Sequence, residues 1–492
     1  MGALCLARTV TSGRAETEAS IRAAHESKVR AVAEAVRARP PGRKLTISKA
    51  HPGHTPHDLS YKRGCHPAPV DELDRVLSVD RESRIAVVEG QVTLRKLCRA
   101  AFEVGLLPKV VPEFETFTVA GLVNGLGLET TSHRHGVFPA GARALEVVCG
   151  NGEVVEADRQ QHADLFSHIP GSYGTLGIIT QVTVELVEAR PFVRSRYWRF
   201  GSRRDYVSAF GAALDEHEFV EGFVFGDDHY VLVTGSYSES VAGLDVFDAM
   251  TPGQRWYYQH AAHMAGKAVE DLVPSCEYMF RHQRSLLWVA GVIAGLRFFS
   301  DRRWGRAYLD RAVKKRVESH GFKSHMPVEM IERCMINQDV GMTLARLEEG
   351  IEYVQKNLRV APLWNCAIAR VVDHPFATPR RLPPGTRHVV DIGIYGEPKI
   401  RGYRAFDNLR ALQKFVDVPS LWGCCYLTPE ELRDIYDFTS YEAVQERYGA
   451  NEAFVPLESK VRFMRGEGEQ GTIPLWRLVN LHYDLRARLL GN

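Results

Sequence analysis

Pro112-Glu-Phe-Glu-Thr-Phe-Thr-Val-Ala-Gly-Leu-Val-Asn-Gly-Leu-Gly-Leu-Glu-Thr-Thr-Ser-His-Arg-His-Gly136 is the stretch on which the reading of the chain turns. Gly121, Gly125 and Gly127 remove side chains over a short span, and Thr118, Thr130, Thr131 and Ser132 place hydroxyls around them. Glycine lets backbone approach a ligand closely, and successive free N–H groups can cradle a phosphate. Taken alone, such a loop is ordinary turn chemistry. It is neither a Gly-x-Gly-x-x-Gly dinucleotide fingerprint nor a P-loop, because no Gly-Lys-Ser/Thr follows.

The next residues add context. Ala144 to Ala157 predicts a hairpin, with Asn151-Gly152 as the turn between alternating apolar residues. Asp164-Leu-Phe166 follows, then Pro170-Gly-Ser-Tyr-Gly-Thr-Leu-Gly-Ile-Ile-Thr180, then a predicted strand, Gln181 to Val187. That order of glycine stretch, hairpin, Asp-Leu-Phe, Gly-Thr-Leu-Gly-Ile and strand resembles the FAD-binding domain of flavoenzymes of the vanillyl-alcohol-oxidase type. Gly127 to Phe138, Phe219-Val-Glu-Gly222, Arg281-His-Gln-Arg-Ser-Leu-Leu-Trp288, Pro362-Leu-Trp364 and Asp391-Ile-Gly-Ile-Tyr-Gly-Glu-Pro398 are similar to the Diminuto-type delta-24 sterol reductase family. The likeness spans about Lys28 to about Phe454.

The resemblance implies an α+β fold. Residues 28–190 would form a two-subdomain FAD-binding domain, 191–425 an α+β cap or substrate domain, and 426–492 a C-terminal helical segment, behind a leader at 1–27. It implies FAD held at Thr118, Val119, Gly121, Gly125, Gly127, Leu128, Glu129, Thr130, Thr131, Ser132, His133, Gly136, Gly174, Thr175, Gly177 and Ile178. It also implies NADPH as reductant and a sterol or isoprenoid substrate. Some relatives bond FAD through a histidine hereabouts, for which His66 is the best-aligned residue, but non-covalent FAD is expected.

The 492 residues exceed one hydrophobic core, so two or more domains are expected. A net charge of +2 argues against a nucleic-acid-binding stripe. Nine scattered cysteines without metal spacing predict free thiols in a reducing compartment. No stretch reaches the roughly 18 to 20 apolar residues of a spanning helix. The family's eukaryotic members carry an N-terminal membrane anchor that is not found here. The reading is therefore cytoplasmic, soluble or peripherally membrane-associated.

Periodicity predicts helices over Glu18–Arg37, Leu94–Val104 and Arg404–Val416, and strands around Asp71–Val79, Arg84–Gly90, Pro191–Phe200, Phe219–Phe225, Tyr230–Gly235 and Val389–Tyr395. Residues 471–492 suggest an amphipathic tail helix. His51, His54 and His57 share a Pro/Gly loop without an acidic ligand, so no metal is expected. Aromatics crowd Trp256 to Phe299, which suits either core packing or a greasy channel or membrane-facing lip for a lipid.

The activity implied by the resemblance is reduction of an isolated alkene. It requires an acid, because an electron-rich double bond resists hydride until it is protonated. The candidate acids are Glu129, His133, Tyr395 and Glu397. Glu129 could instead bond the flavin ribityl chain or a backbone amide, and Glu397 could simply cap the turn before Pro398. His135 is expected to pack. The alternatives are an FAD oxidase or dehydrogenase of an alcohol or lactone, and a sterol-binding scaffold with structural FAD.

Overall fold

A computed structural model describes residues 17–48, 62–241, 243–267, 270–285, 288–289, 297–320, 332–369, 374, 378–420 and 423–462. The histidine loop at His51, His54 and His57 and the tail at 471–492 lie outside the described residues. The chain is mixed α+β and is built on two antiparallel sheets.

The first sheet has six strands. In spatial order Val76–Asp80, Ile85–Glu89, Ile178–Glu188, Ala142–Val148 and Val154–Asp158 follow one another, and Leu106–Pro108 also pairs with Ile178–Glu188. The predicted hairpin is present, with Leu145 opposite Ala157 and Val148 opposite Val154. Gly152 in its turn has φ of 82°, which favours glycine. Beside it lies a two-stranded parallel sheet of Leu45–Ser48 and His66–Pro69. The helix Leu94–Phe102 buries Leu94, Leu97, Cys98 and Ala101, as its spacing predicts.

The helix Glu18–Arg37 begins at the N-cap Thr17, whose hydroxyl accepts from Ser20 N at 3.2 Å. It buries His25, Val29, Val32, Ala33 and Val36. The expected boundary between leader and flavin-binding domain at 27/28 therefore falls inside a packed helix, and residues 18–27 belong to the first unit.

His25 lies between two acids, with Nδ1 2.9 Å from Glu89 Oε1 and Nε2 3.0 Å from Glu146 Oε1. Burial alone would lower its pKa, but the two carboxylates raise it to about 9. A folded-state value above the ordinary histidine value stabilises fully below about pH 6.5, and that contribution is lost as pH rises through about 9. His25→Gln is expected to cost roughly 3 kcal/mol at pH ~6, as for breaking a buried pair. In urea melts its stability deficit should shrink as pH approaches 9. A deficit that does not change with pH would refute the ion-pair account.

The second sheet has eight strands, in the order Glu270–Pro274, Phe192–Phe200, His229–Ser238, Phe219–Gly226, Leu363–Ala369, His388–Gly396, Ile336–Thr343 and Val418–Pro419. One face is covered by the helices Arg203–Glu216 and Leu347–Asn357. Tyr206 packs where a Cβ on Gly222 would sit, so only glycine fits there, and Gly350 abuts Met342 and Ile392. Alternation then sends Glu221, Phe223, Trp364, Cys366, Asp391, Gly393, Tyr395 and Asp339 to the other face.

The helices between Pro429 and Val461 return to the first unit. Tyr448 O accepts from Gly150 N at 3.0 Å, His168 Nε2 lies 3.0 Å from Ser440 Oγ, and Lys460 Nζ donates to Tyr173 O at 2.9 Å. These helices thus pack onto the first unit.

Candidate cofactor and substrate site

Two glycine-bearing loops are joined by one residue that the sequence did not single out. Asn124 O accepts from Gly171 N at 3.1 Å and Tyr173 N at 3.3 Å. Its Oδ1 accepts from Gly174 N at 2.9 Å and Ser172 Oγ at 3.1 Å. Thr118 and Val119 open the helix Val119–Gly125, with Val119 fully buried. Gly174 and Gly136 have φ of 71° and 75°, a region that favours glycine. Thr175 Oγ1 donates to Ser172 O at 2.6 Å and also contacts the Tyr441 hydroxyl. Asn124 therefore holds the helix Val119–Gly125 against the loop that carries Gly174 and Thr175.

Within them the roles differ. Cβ atoms at Gly127 and Gly177 would lie 2.5 Å from Leu122 Cδ2 and Val147 Cγ1 respectively, so both glycines serve internal packing, against the expectation that they face a ligand. Leu128 and Ile178 are buried core residues. Thr131 Oγ1 donates to Lys109 O at 2.8 Å, and Ser132 Oγ accepts from Glu129 N at 3.0 Å. Thr130 O accepts from Val220 N at 3.3 Å, tying this stretch to the second sheet. These groups hold the stretch in shape, whereas a Cβ on Gly125 would meet nothing within 4 Å.

Glu129 is 2% exposed and sits in an ion network shared by both units. Arg281 Nη2 donates to Glu129 Oε1 at 2.8 Å, and Arg281 Nε donates to Glu221 Oε1 at 3.0 Å. Glu221 Oε2 lies 3.0 Å from His282 Nε2 and accepts from Trp364 Nε1 at 2.9 Å. Burial would raise the Glu221 carboxyl, but Arg281 and His282 hold it down at about 2. Glu129, Glu221 and His282 bring ligand atoms within 4.8 Å of one another, yet the cation between the two carboxylates is the Arg281 guanidinium. None of these partners was assigned a role from sequence, although Glu221 could have been noticed as a charge inside an apolar strand.

As an acid, Glu129 is poorly placed: Oε1 is taken by Arg281 and by Thr130 N at 3.0 Å. Both nitrogens of His133 are also engaged, Nδ1 at 2.8 Å from Thr130 O and Nε2 at 2.9 Å from His217 O. Burial lowers its pKa, so it too serves to pin the stretch. Burial likewise pushes His135 down, to about 4. The Tyr395 hydroxyl donates to Asp339 Oδ1, and its ring lies over Gly393. The strand stops at Gly396, so Glu397 lies just beyond it, half-buried.

The strand His388–Gly396 starts against the flavin-like stretch, where His388 Nε2 lies 3.0 Å from His133 O. Three residues along it is Asp391, 1% exposed, with neither carboxyl oxygen hydrogen-bonded among the described residues. Of the crowded aromatics, Trp256, Tyr257, Tyr278, Phe280 and Trp288 are core, as packing predicts, while Phe298 is exposed together with Trp304 and Tyr308.

Residues 17–158 match a family described as FAD binding domain. Over 458 residues the chain is 26% identical to a Delta(24)-sterol reductase of Macaca fascicularis, covering 89% of this chain and 86% of the relative. A Delta(24)-sterol reductase of Arabidopsis thaliana is 28% identical over 389 residues, covering 73% and 68%. A Cytokinin dehydrogenase 7 of Oryza sativa is 34% identical over 105 residues, covering 21% and 20%. No helix among the described residues is long and apolar enough to cross a membrane. With an FAD binding domain and a likeness running through both sheets, the chain is an FAD-dependent oxidoreductase homologous to the Delta(24)-sterol reductases.

Proposed function

We propose that the chain reduces an isolated carbon–carbon double bond in the side chain of a sterol or related isoprenoid, with non-covalent FAD and with NADPH as reductant. The observation that carries this reading is the extent of the likeness. It covers 89% of the chain and so includes the sheet that would select a substrate, whereas the cytokinin dehydrogenase match stops at 21%.

FAD would lie against the joined loops at Gly125 and Gly174. The residues fit it: the open direction at Gly125 leaves room for a ligand, and Glu129 Oε2 is a buried acceptor without a partner among the described residues. Bound there, FAD supplies hydride. The chain's own residues must exclude water and deliver a proton to the less substituted carbon, so that positive charge develops on the more substituted one. The exposed Phe298, Trp304 and Tyr308, with Arg302 and Arg303 beside them, support peripheral contact with the membrane surface from which a lipid substrate would come.

The purified protein is expected to be yellow and to release its flavin on acid denaturation. Colour retained in the precipitate would point to covalent attachment and to His66. Under anaerobic conditions NADPH should be consumed only when a side-chain alkene is present, and mass spectrometry should find a product two hydrogens heavier. Peroxide formed in air from an alcohol, with no alkene reduced, would replace this reading with an oxidase.

A further inference from the structure

We propose that Asp391 is the proton donor of the reaction, an assignment that rests on the alkene-reductase reading above. It lies in the middle of an apolar strand, Val389-Val-Asp-Ile-Gly-Ile394, where a charge has no packing purpose. Its cross-strand neighbours are Gly341 and Cys366, which offer no donor stronger than a thiol. The other acids at this junction are supplied with donors. Arg281 serves Glu129, while Arg281, His282 and Trp364 serve Glu221, and the Tyr395 hydroxyl serves Asp339. Asp391 alone among these four has neither oxygen engaged by a described residue.

Among the described residues, the charges that act on it are of its own sign: Asp339 on the adjacent strand and Glu113 at the start of the flavin-like stretch. Burial first, and then these two carboxyl groups, raise its pKa well above the usual carboxylate range. Burial among like charges favours the protonated form, and with no hydrogen-bond partner among the described residues that proton is available to a substrate. The location suits the task. The strand starts at its contact with His133, and Cys366 opposite Asp391 is close enough to Glu129 to feel its charge. Asp391 is thus on the sheet face turned to the flavin-like stretch.

The step balances. The alkene π pair forms a C–H bond with the Asp391 proton at the less substituted carbon. The other carbon, left electron-deficient, accepts hydride from the reduced cofactor, which loses two electrons. The Asp391 carboxylate then recovers a proton from water.

The test separates the two half-reactions in Asp391→Asn. Flavin content, NADPH-driven bleaching of the flavin absorbance, and thermal stability should match or exceed the wild type. Reoxidation by the alkene should fall by roughly 10²- to 10⁴-fold, the usual worth of general acid catalysis. The wild-type reoxidation rate should be flat through neutral pH and fall at alkaline pH, and Asp391→Glu should restore part of it. In the wild-type apoprotein, infrared spectroscopy should find a protonated-carboxyl band that Asp391→Asn removes, a readout that needs no turnover. If Asp391→Asn does not fold, Asp391→Ser takes its place in both measurements. Wild-type reoxidation rates in the variant, or no such infrared band, would overturn the assignment and leave the reductase reading intact. A wild type that bleaches with NADPH but reduces no alkene would overturn both.

Discussion

Arg281→Met is expected to yield protein that is largely insoluble or flavin-free, the largest loss of any single substitution considered. The guanidinium is 1% exposed and joins Glu129 of the flavin-like stretch to Glu221 of the second sheet. Its Nη1 donates to Tyr278 O at 2.9 Å, and its charge sits 4.2 Å and 5.1 Å from the ring centres of Tyr278 and Tyr257. Removing it leaves two buried carboxylates facing one another. Breaking a buried pair in this way costs about 3–5 kcal/mol, a large share of the ~5–15 kcal/mol that holds a domain folded. Lysine should not rescue, since one ammonium cannot serve both acids in a fork or stack on both rings. Neutralising the acids should: Arg281→Met with Glu129→Gln and Glu221→Gln is expected to recover solubility and most of the urea midpoint. A single Arg281→Met protein that melts like the wild type would show that the network does not join the two units.

The parts legible in the sequence were those set by local periodicity. The hairpin at Asn151-Gly152 and the buried face of Leu94–Phe102 needed only turn chemistry and a helical stripe. The strand at Ile336–Thr343 was not recognised, because Asn337, Gln338 and Asp339 break its apolar run. Gln338 and Asp339 are nonetheless buried, Gln338 by bonding to the carbonyls of Asp339 and Ser420, and Asp339 by accepting from Tyr395. Long-range satisfaction of this kind leaves no local trace.

The same holds for the candidate site. Glycines and hydroxyls near a ligand loop are visible one residue at a time. The structure gives the tying role to Asn124, which reaches across to a loop some fifty residues away. It shows the hydroxyls of Thr131 and Ser132 spent on Lys109 O and Glu129 N. Glu221 and Asp391 carried a readable signal, a lone acid within an apolar strand. What that signal could not say is that Glu221 has a buried arginine as partner and Asp391 has none among the described residues.

Gly125→Val is expected to remove most of the bound flavin while leaving the apoprotein as stable as the wild type. Gly125 ends the helix Val119–Gly125, and Leu126 follows as a left-handed cap with φ of 57°. A Cβ there has nothing within 4 Å, so the protein itself has room for a side chain. Replacing a helical glycine by alanine gains about 0.5–1 kcal/mol from chain entropy alone, so Gly125→Ala should raise the apoprotein melting temperature slightly. The room is next to Asn124 and the Gly174 loop, where the cofactor backbone contacts are expected, so valine should lower flavin occupancy by at least about tenfold, an affinity loss of ~1.4 kcal/mol or more. Gly127 and Gly177 provide the contrast. Their Cβ atoms would meet Leu122 and Val147 at 2.5 Å, so alanine there should destabilise the apoprotein itself, by about 1–3 kcal/mol as for overpacking. Gly121 is intermediate, since its Cβ would meet only the Thr118 hydroxyl, at 2.9 Å. Flavin-to-protein absorbance ratios and apoprotein melts on variants at these four glycines separate the two effects. Full flavin loading in Gly125→Val would mean that the open volume faces solvent, and the cofactor would then have to be placed against the Gly174 loop alone.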